Sequence, residues 1–275
     1  MQFSSIELSK IDEKRGFIIP HNISEDLAEE TGIHCGDGSM NHYKSYVYSL
    51  EGHIKDDREY YINHIKNLYK KLYNIDVRLR DRINAGVFGF QLGSKGLVTF
   101  KSCRLGLPLG IKSNIKIPEI IRKSNNKVLA AFIRGFFDTD GGIYLERKNN
   151  KLYPRIKINN NSEIIMSELK ELLRDNFKFN LGFWKDNKSY VLVIRGENNF
   201  NKWMNLIGSN NPKNIRKYEN WLTSQNQQTD NLKNINRSII NHNQCLGSSV
   251  RSEHLALNQK VAGSNPVRGT AFVFI

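Results

Sequence analysis

The chain has 275 residues, enough to bury one large core or two smaller ones without disulfides or metals to hold it together. Lys and Arg outnumber Asp and Glu by 41 to 27, a formal charge of +14 that favours a polyanionic partner, bound in a salt-dependent way. Cys35, Cys103 and Cys245 contain no Cys-x-x-Cys pair, which excludes a zinc ribbon or a disulfide framework, and no apolar run suits a signal peptide or a membrane span. An intracellular protein of cytoplasm, nucleoid or organelle matrix is expected, with no membrane partner.

In chain order, Ser24 is placed to cap a helix carrying Leu27, Ala28, Thr31, Gly32, Cys35 and Gly36 at helical spacing, stopped by Asp37-Gly38. The alternation at Tyr46 to Leu50 predicts a strand, and Tyr61, Ile65, Leu68 and Leu72 form the stripe of an amphipathic helix. Strands are expected around Val77 to Ile83 and Val87 to Leu92, on either side of Asn84-Ala85-Gly86, before a helix from Ser94 to Leu105. The same order then recurs, close to helix, two strands, helix, two strands, helix in each repeat, with one strand of the first less clearly marked. Asn125 or Asn126 caps a helix through Leu129, Phe132, Ile133 and Phe136 to Asp140. Strands follow near Ile143 to Arg147 and Tyr153 to Ile158, then a helix with Ile164, Ile165, Leu169, Leu172 and Leu173. Strands around Phe179 to Trp184 and Tyr190 to Ile194 lead to a last helix with Phe200, Trp203, Met204 and Ile207. The spacing predicts repeats over 23–113 and 126–222, joined by a linker over 114–125. Trp184 and Trp203 are expected to pack in the core or between the domains, and His34 to be a packed histidine buried in its helix.

Both helices end in Asp-Gly, and Gly32 and Gly135, like Asp37 and Asp140, lie 103 positions apart. Ala28, Gly32 and Gly36 share one helix face, and Ala131, Gly135 and Thr139 take the same places in the second repeat. Such rows let two helix backbones approach closely. Packing does not explain the aspartates, since a carboxylate at a helix C-terminus meets the negative end of the macrodipole. Two side by side repel each other. A hard divalent cation such as Mg²⁺ or Mn²⁺ removes both penalties.

On these motifs the sequence resembles the double-motif LAGLIDADG homing endonucleases. Residues 133–141, Ile-Arg-Gly-Phe-Phe-Asp-Thr-Asp-Gly, fit the pattern closely. Residues 30–38 are looser, with Glu30, read as solvent-facing, where an apolar residue is usual. The resemblance implies an α+β fold: two pseudo-symmetric αββαββα repeats forming a saddle of antiparallel sheet around two central helices, in a monomeric pseudo-dimer. It implies metal-dependent hydrolysis of DNA at Asp37 and Asp140, with Gly36 and Thr139 beside the metals. Lys112 and Lys213, in matching segments, would lie near the scissile phosphates. The partner would be double-stranded DNA with a long asymmetric site. Arg78, Arg80 and Arg82, and Arg155 and Lys157, alternate along strands, so each set shares one sheet face suited to a major groove. A binding protein of the same fold that does not cut, such as a splicing maturase or regulator, is the alternative.

Beyond Ser224 the chain loses apolar periodicity, and 225–275 is expected to be unpacked. Gly247 to Val250 and Gly263 to Gly269 can be encoded by D-arm and T-arm consensus sequences of a tRNA gene, spaced much as in a tRNA. Cys245 to Ile275 is therefore read as translation into a downstream tRNA gene. His242-Asn243 is separated from Cys245 by Gln244 and the chain begins Met1-Gln2, so a self-splicing intein is not expected.

Overall fold

Ser24 and Asn125 start the two long apolar helices as their sequence positions require. The Ser24 hydroxyl accepts from the Leu27 amide at 3.2 Å, and the Asn125 side chain accepts from the amides of Lys127 and Val128. In the computed structural model, which describes residues 6–43, 45–149 and 151–227, a short helix α1 (Lys10–Lys14) precedes the first repeat. That repeat runs α2 (Glu25–Asp37), β1 (Gly38–Asn41), β2 (Val47–His53) and α3. Helix α3 starts at Arg58–Tyr60 and passes through a π turn at Tyr61–Ile65 into Lys66–Tyr73. Then come β3 (Arg80–Arg82), β4 (Val87–Gly93) and α4, which is Lys95–Thr99 extended by a π turn at Phe100–Arg104. The linker holds one helical turn, α5 (Glu119–Arg122). The second repeat is α6 (Asn126–Asp140), β5 (Gly141–Lys148), β6 (Lys151–Asn160), α7 (Glu163–Asp175), β7 (Leu181–Asp186), β8 (Ser189–Arg195) and α8 (Glu197–Leu206). Residues 212–222 are helical again.

Each repeat forms one four-stranded antiparallel sheet, ordered β1-β2-β4-β3 and β5-β6-β8-β7, so the two halves share one topology in an α+β fold. Gly38 pairs with Leu50, and Gly141 with Ile158, which starts both sheets directly at the helix ends. Strand β3 is shorter than the alternation predicted. Only Arg80–Arg82 pair with β4, and Ile83 instead enters a 3₁₀ turn (Ile83–Ala85) that Gly86 closes at φ +67°. Residues 6–222 belong to one unit; of a second, 223–275, residues 223–227 are helical. The tail beyond 227, including the segment read as a translated tRNA gene, lies outside the described residues.

One face of each sheet packs on helices. Tyr48, Leu50, Phe88 and Phe90 line it in the first half, and Ile143, Ile156, Ile158, Leu192 and Ile194 in the second. Alternation leaves the opposite faces open. A single core links the halves through α2 and α6. There the small residues meet backbone: a β-carbon at Gly32 would fall 2.1 Å from the Phe132 carbonyl oxygen, and one at Gly135 2.1 Å from that of Glu29. Ala28 and Ala131 are fully buried beside them. Symmetry fails at the next position, where the Thr139 hydroxyl fills the space over Gly36.

Two expectations change. Trp203 is in the core as predicted, but Trp184 is 40% exposed on the open face of the second sheet, because its register with Val191 turns it away from the helices. Glu30 does not face solvent. It is fully buried against Lys101, whose Nζ lies 2.7 and 2.6 Å from its two carboxylate oxygens, and it accepts from the hydroxyls of Tyr69 and Tyr73. The Tyr48 hydroxyl joins that of Tyr69 at 2.6 Å and lies 3.3 Å from His34 Nδ1. Burial, reinforced by the charges of Lys101 and Lys112, holds the His34 pKa well below the usual histidine range, so it is a neutral core residue.

Candidate active site

Helices α2 and α6 end side by side, and each delivers its last residue, Asp37 or Asp140, half-buried at the junction of the two halves. A β-carbon at Gly36 would lie 3.1 Å from Asp140 Oδ1, which measures how closely the second carboxylate approaches the first helix end. Burial pushes the Asp37 carboxyl up to about 8; the charges of Asp140 and Asp57 add to the rise, while a 3.2 Å hydrogen bond from the Tyr61 hydroxyl and the charge of Lys112 oppose it. Asp140 is pushed by burial to about 6, opposed by the Asn160 amide, which donates at 2.5 Å, and by Lys112.

The two carboxylates are supported differently. Counting from the equivalent pairs Gly38–Leu50 and Gly141–Ile158, Gly52 occupies the place of Asn160. A side chain there would come within 3.1 Å of Asp37, but Gly52 has none, and the Asp57 carboxylate and the Tyr61 ring fill the space. Asp57 is buried at 6% exposure.

The lysines are anchored differently too. Lys112 Nζ donates to the carbonyls of Gly36, Cys35 and His34 at 2.6, 3.1 and 3.3 Å, capping the C-terminus of α2. The Gly36 carbonyl is thus a lysine acceptor. Lys213 crosses to the other half, where its Nζ lies 2.6 Å from Asp57 Oδ1, and Asn211 donates to the same oxygen at 3.0 Å. The corresponding cap on α6 is Asn211, whose side-chain amide donates to the Asp138 carbonyl at 2.9 Å. The Thr139 hydroxyl donates back to the Gly135 and Phe136 carbonyls within α6.

Sequence reasoning missed the site roles of Asp57, Asn160, Tyr61 and Asn211, since none lies in either Asp-Gly segment: sheet register brings in Asn160, while Asp57, Tyr61 and Asn211 come from a turn, a helix and the loop before Lys213. Asp138 was also passed over. It is buried, pushed up to about 7 by burial against hydrogen bonds from Ser209 and the Asn210 amide, and it ties α6 to the segment carrying Lys213.

The basic strand residues are divided between the sheets. Arg80 and Arg82 are exposed on the open face of the first, bonded to Gln91 at 2.9 Å and Glu51 at 2.5 Å, while Arg78 is exposed just before β3. Arg155 and Lys157 share the open face of the second, Arg155 paired with Glu146.

Among the described residues no group of three or more His, Cys, Asp and Glu is arranged for a metal. The candidate donors are therefore Asp37 and Asp140 with main-chain carbonyls, an all-oxygen set that suits a hard divalent cation. Asp140 Oδ1 reaches within 3.1 Å of a β-carbon position at Gly36, so the two carboxylates converge from the two helix ends and the residues present fit such an ion.

Two duplicated αββαββα halves, joined at paired helices that each end in an aspartate, define a pseudo-dimeric protein with one shared central site. Residues 127–208 match the family model described as a LAGLIDADG-like domain, and residues 30–95 that of the WhiA LAGLIDADG-like domain. The chain belongs to the LAGLIDADG family as a double-motif member. An uncharacterized protein of Methanocaldococcus jannaschii is 28% identical over 141 residues, half of this chain and 49% of the relative, so the chain spans about half of that relative's length. Among solved structures, I-DmoI in complex with DNA and Ca covers 73% of this chain and 100% of its own at 19% identity, TM-score 0.51. The homing endonuclease I-WcaI, bound to its DNA recognition sequence, covers 72% of this chain and 87% of its own at 15% identity, TM-score 0.50. These likenesses establish the shared fold.

No helix of the described residues is long and apolar enough to cross a membrane.

Proposed function

We propose that the chain is a sequence-specific double-strand DNA endonuclease of the homing type, acting as a monomer with divalent metal ions. One observation carries this reading: Asp37 and Asp140 converge from two halves onto one site, with Lys112 close enough to affect both. A protein that only bound DNA would gain nothing from two half-buried carboxylates near phosphates, which they repel. I-DmoI and I-WcaI, whose fold this chain shares, are themselves complexed with DNA.

Asp37 and Asp140 would hold Mg²⁺ or Mn²⁺. When bound, such ions supply Lewis-acid polarisation of the phosphate and a water of lowered pKa. The protein's own part is positional. Asn160 and Tyr61 orient the carboxylates, and the paired helices fix their separation. Lys112 and Lys213 would place positive charge near the scissile phosphates, each held by a different set of acceptors. The basic open sheet faces, within a chain of charge +14, would carry the duplex.

The match of the first half to the WhiA domain favours a second reading, a regulator or maturase of this fold that binds without cutting. One experiment separates the two: incubation of the protein with Mg²⁺ and a plasmid library spanning candidate sites. Linear product that disappears in Asp140→Asn supports the nuclease. Retarded but intact DNA in both proteins supports the binder.

A further inference from the structure

The two open sheet faces have different chemistry. On the first, β2 and β4 present Ser49, Glu51, His53 and Gln91 beside the small apolar Val47 and Val87, and β3 adds Arg80 and Arg82, so hydrogen-bonding side chains predominate and no Phe, Tyr or Trp ring is among them. On the second, the register Tyr144–Arg155, Glu146–Tyr153, Lys157–Val193 and Trp184–Val191 turns three aromatic rings outward among cations. Tyr144, Tyr153 and Trp184 are 52%, 42% and 40% exposed. Lys217 Nζ lies 5.5 Å from the Tyr144 ring centre and Lys151 Nζ 5.8 Å from that of Tyr153. Arg155, Lys157 and Arg195 share the face. Gly182 is where Trp184 lies down on the sheet: a β-carbon there would meet the indole at 3.1 Å. These rings are held on rigid strands, outside the core.

We propose that the second repeat reads its half of the DNA site mainly by apolar contact with thymine methyl groups, whereas the first reads by hydrogen bonds, so the site is thymine-rich on one side only. This rests on the DNA-binding reading above. The surrounding cations match the charge of a duplex. Within a major groove the thymine 5-methyl is the apolar group exposed on a base edge, and it is the one a Trp or Tyr face contacts without leaving a polar group unpaired. Hydrogen-bonding side chains such as Arg80, Gln91 and Arg82 suit guanine and adenine edges instead. The chain would thus distinguish the two ends of its site by contact chemistry as well as by sequence.

The experiment starts from duplexes selected by the full chain out of a randomised pool in Ca²⁺. Thymines are replaced by deoxyuridine, which lacks only the methyl, in one half at a time. In a parallel set they are replaced by 5-iodouracil for photo-crosslinking, and crosslinked peptides assign each half to its repeat. The expected result is a fall in affinity of about three- to four-fold per contacted thymine in the half that crosslinks to Tyr144, Tyr153 or Trp184, with less than about two-fold in the other. Trp184→Ala and Tyr144→Ala, both at exposed positions, should reduce the deoxyuridine effect in that half alone. Equal sensitivity of the two halves, or crosslinks confined to the first repeat, overturns the proposal while DNA binding stands. Failure to select any duplex overturns the DNA-binding reading and this inference together.

Discussion

Asp37 is surrounded by more negative charge than Asp140: Asp57 and Asp140 both act on it, and it has no amide donor equivalent to Asn160. Replacing it with Asn removes a half-buried carboxyl that repels its neighbours. Asp37→Asn should therefore abolish cleavage, leave DNA binding intact or tighter, and raise the melting temperature of the metal-free protein by several degrees. Paired cleavage, binding and melting measurements check all three; full cleavage by the variant would refute the assignment. Glu29 is the opposite case. It is buried, yet hydrogen bonds from His64 and Arg134 outweigh that burial and hold its pKa at about 2. A depressed carboxylate stabilises the fold above its unfolded pKa of about 4.5 and loses that contribution as pH falls toward 2. The pair of pKa values corresponds to about 3 kcal/mol. The stability difference between Glu29→Gln and the parent should accordingly shrink as pH drops from 5 to 2, measured by denaturant unfolding; a pH-independent difference would contradict this account.

At the scale of elements, the halves solve one packing problem with different side chains. The first uses Glu30 and Lys101 where the second, 103 positions on, has Ile133 and Met204. Breaking a fully buried ion pair by removing one partner leaves a bare charge, so Lys101→Met alone should destabilise by about 3–5 kcal/mol. The double change Glu30→Ile with Lys101→Met copies the second half and should recover most of that loss. Failure to recover would mean that the Tyr48, Tyr69 and Tyr73 hydroxyls, then without the carboxylate, dominate the energetics. The α2–α6 contact has no such freedom. Since a β-carbon at Gly135 falls on a backbone oxygen, even Gly135→Ala must separate the helices, costing about 1–3 kcal/mol and blunting cleavage through the moved aspartates. An unchanged melting temperature in Gly135→Ala would refute the tight packing.

For the whole molecule, charge and duplication act together. A chain of +14 with two open sheet faces should bind duplex DNA with an affinity that falls steeply with salt, while the preference for its own site falls less. Titrations at several salt concentrations, on specific and random duplexes, check this. A flat salt dependence would deny the basic faces a role. The two halves meet through Arg134 and Asn210 on Glu29 and through Lys213 on Asp57, contacts with no counterpart at the symmetry-related positions among the described residues. The pseudo-dimer is thereby built as an unequal pair.

Order along the chain determined the repeats, their αββαββα succession, the small-residue faces and the two aspartates, because each depends on local spacing and on the 103-residue register. The extent of β3 was overestimated, because only Arg80–Arg82 of the alternating run pair with β4, and pairing depends on the partner strand, not on alternation. What surrounds the aspartates was decided only by tertiary structure. Gly52, Asp57, Asn160 and Asn211 reach the site through sheet pairing and the crossing of one half over to the other. Glu30 likewise reads as a surface charge until Lys101, 71 residues away, is packed against it. Spacing reports which side of an element a residue occupies; what it meets there depends on partners distant in sequence, and those set its charge and its chemistry.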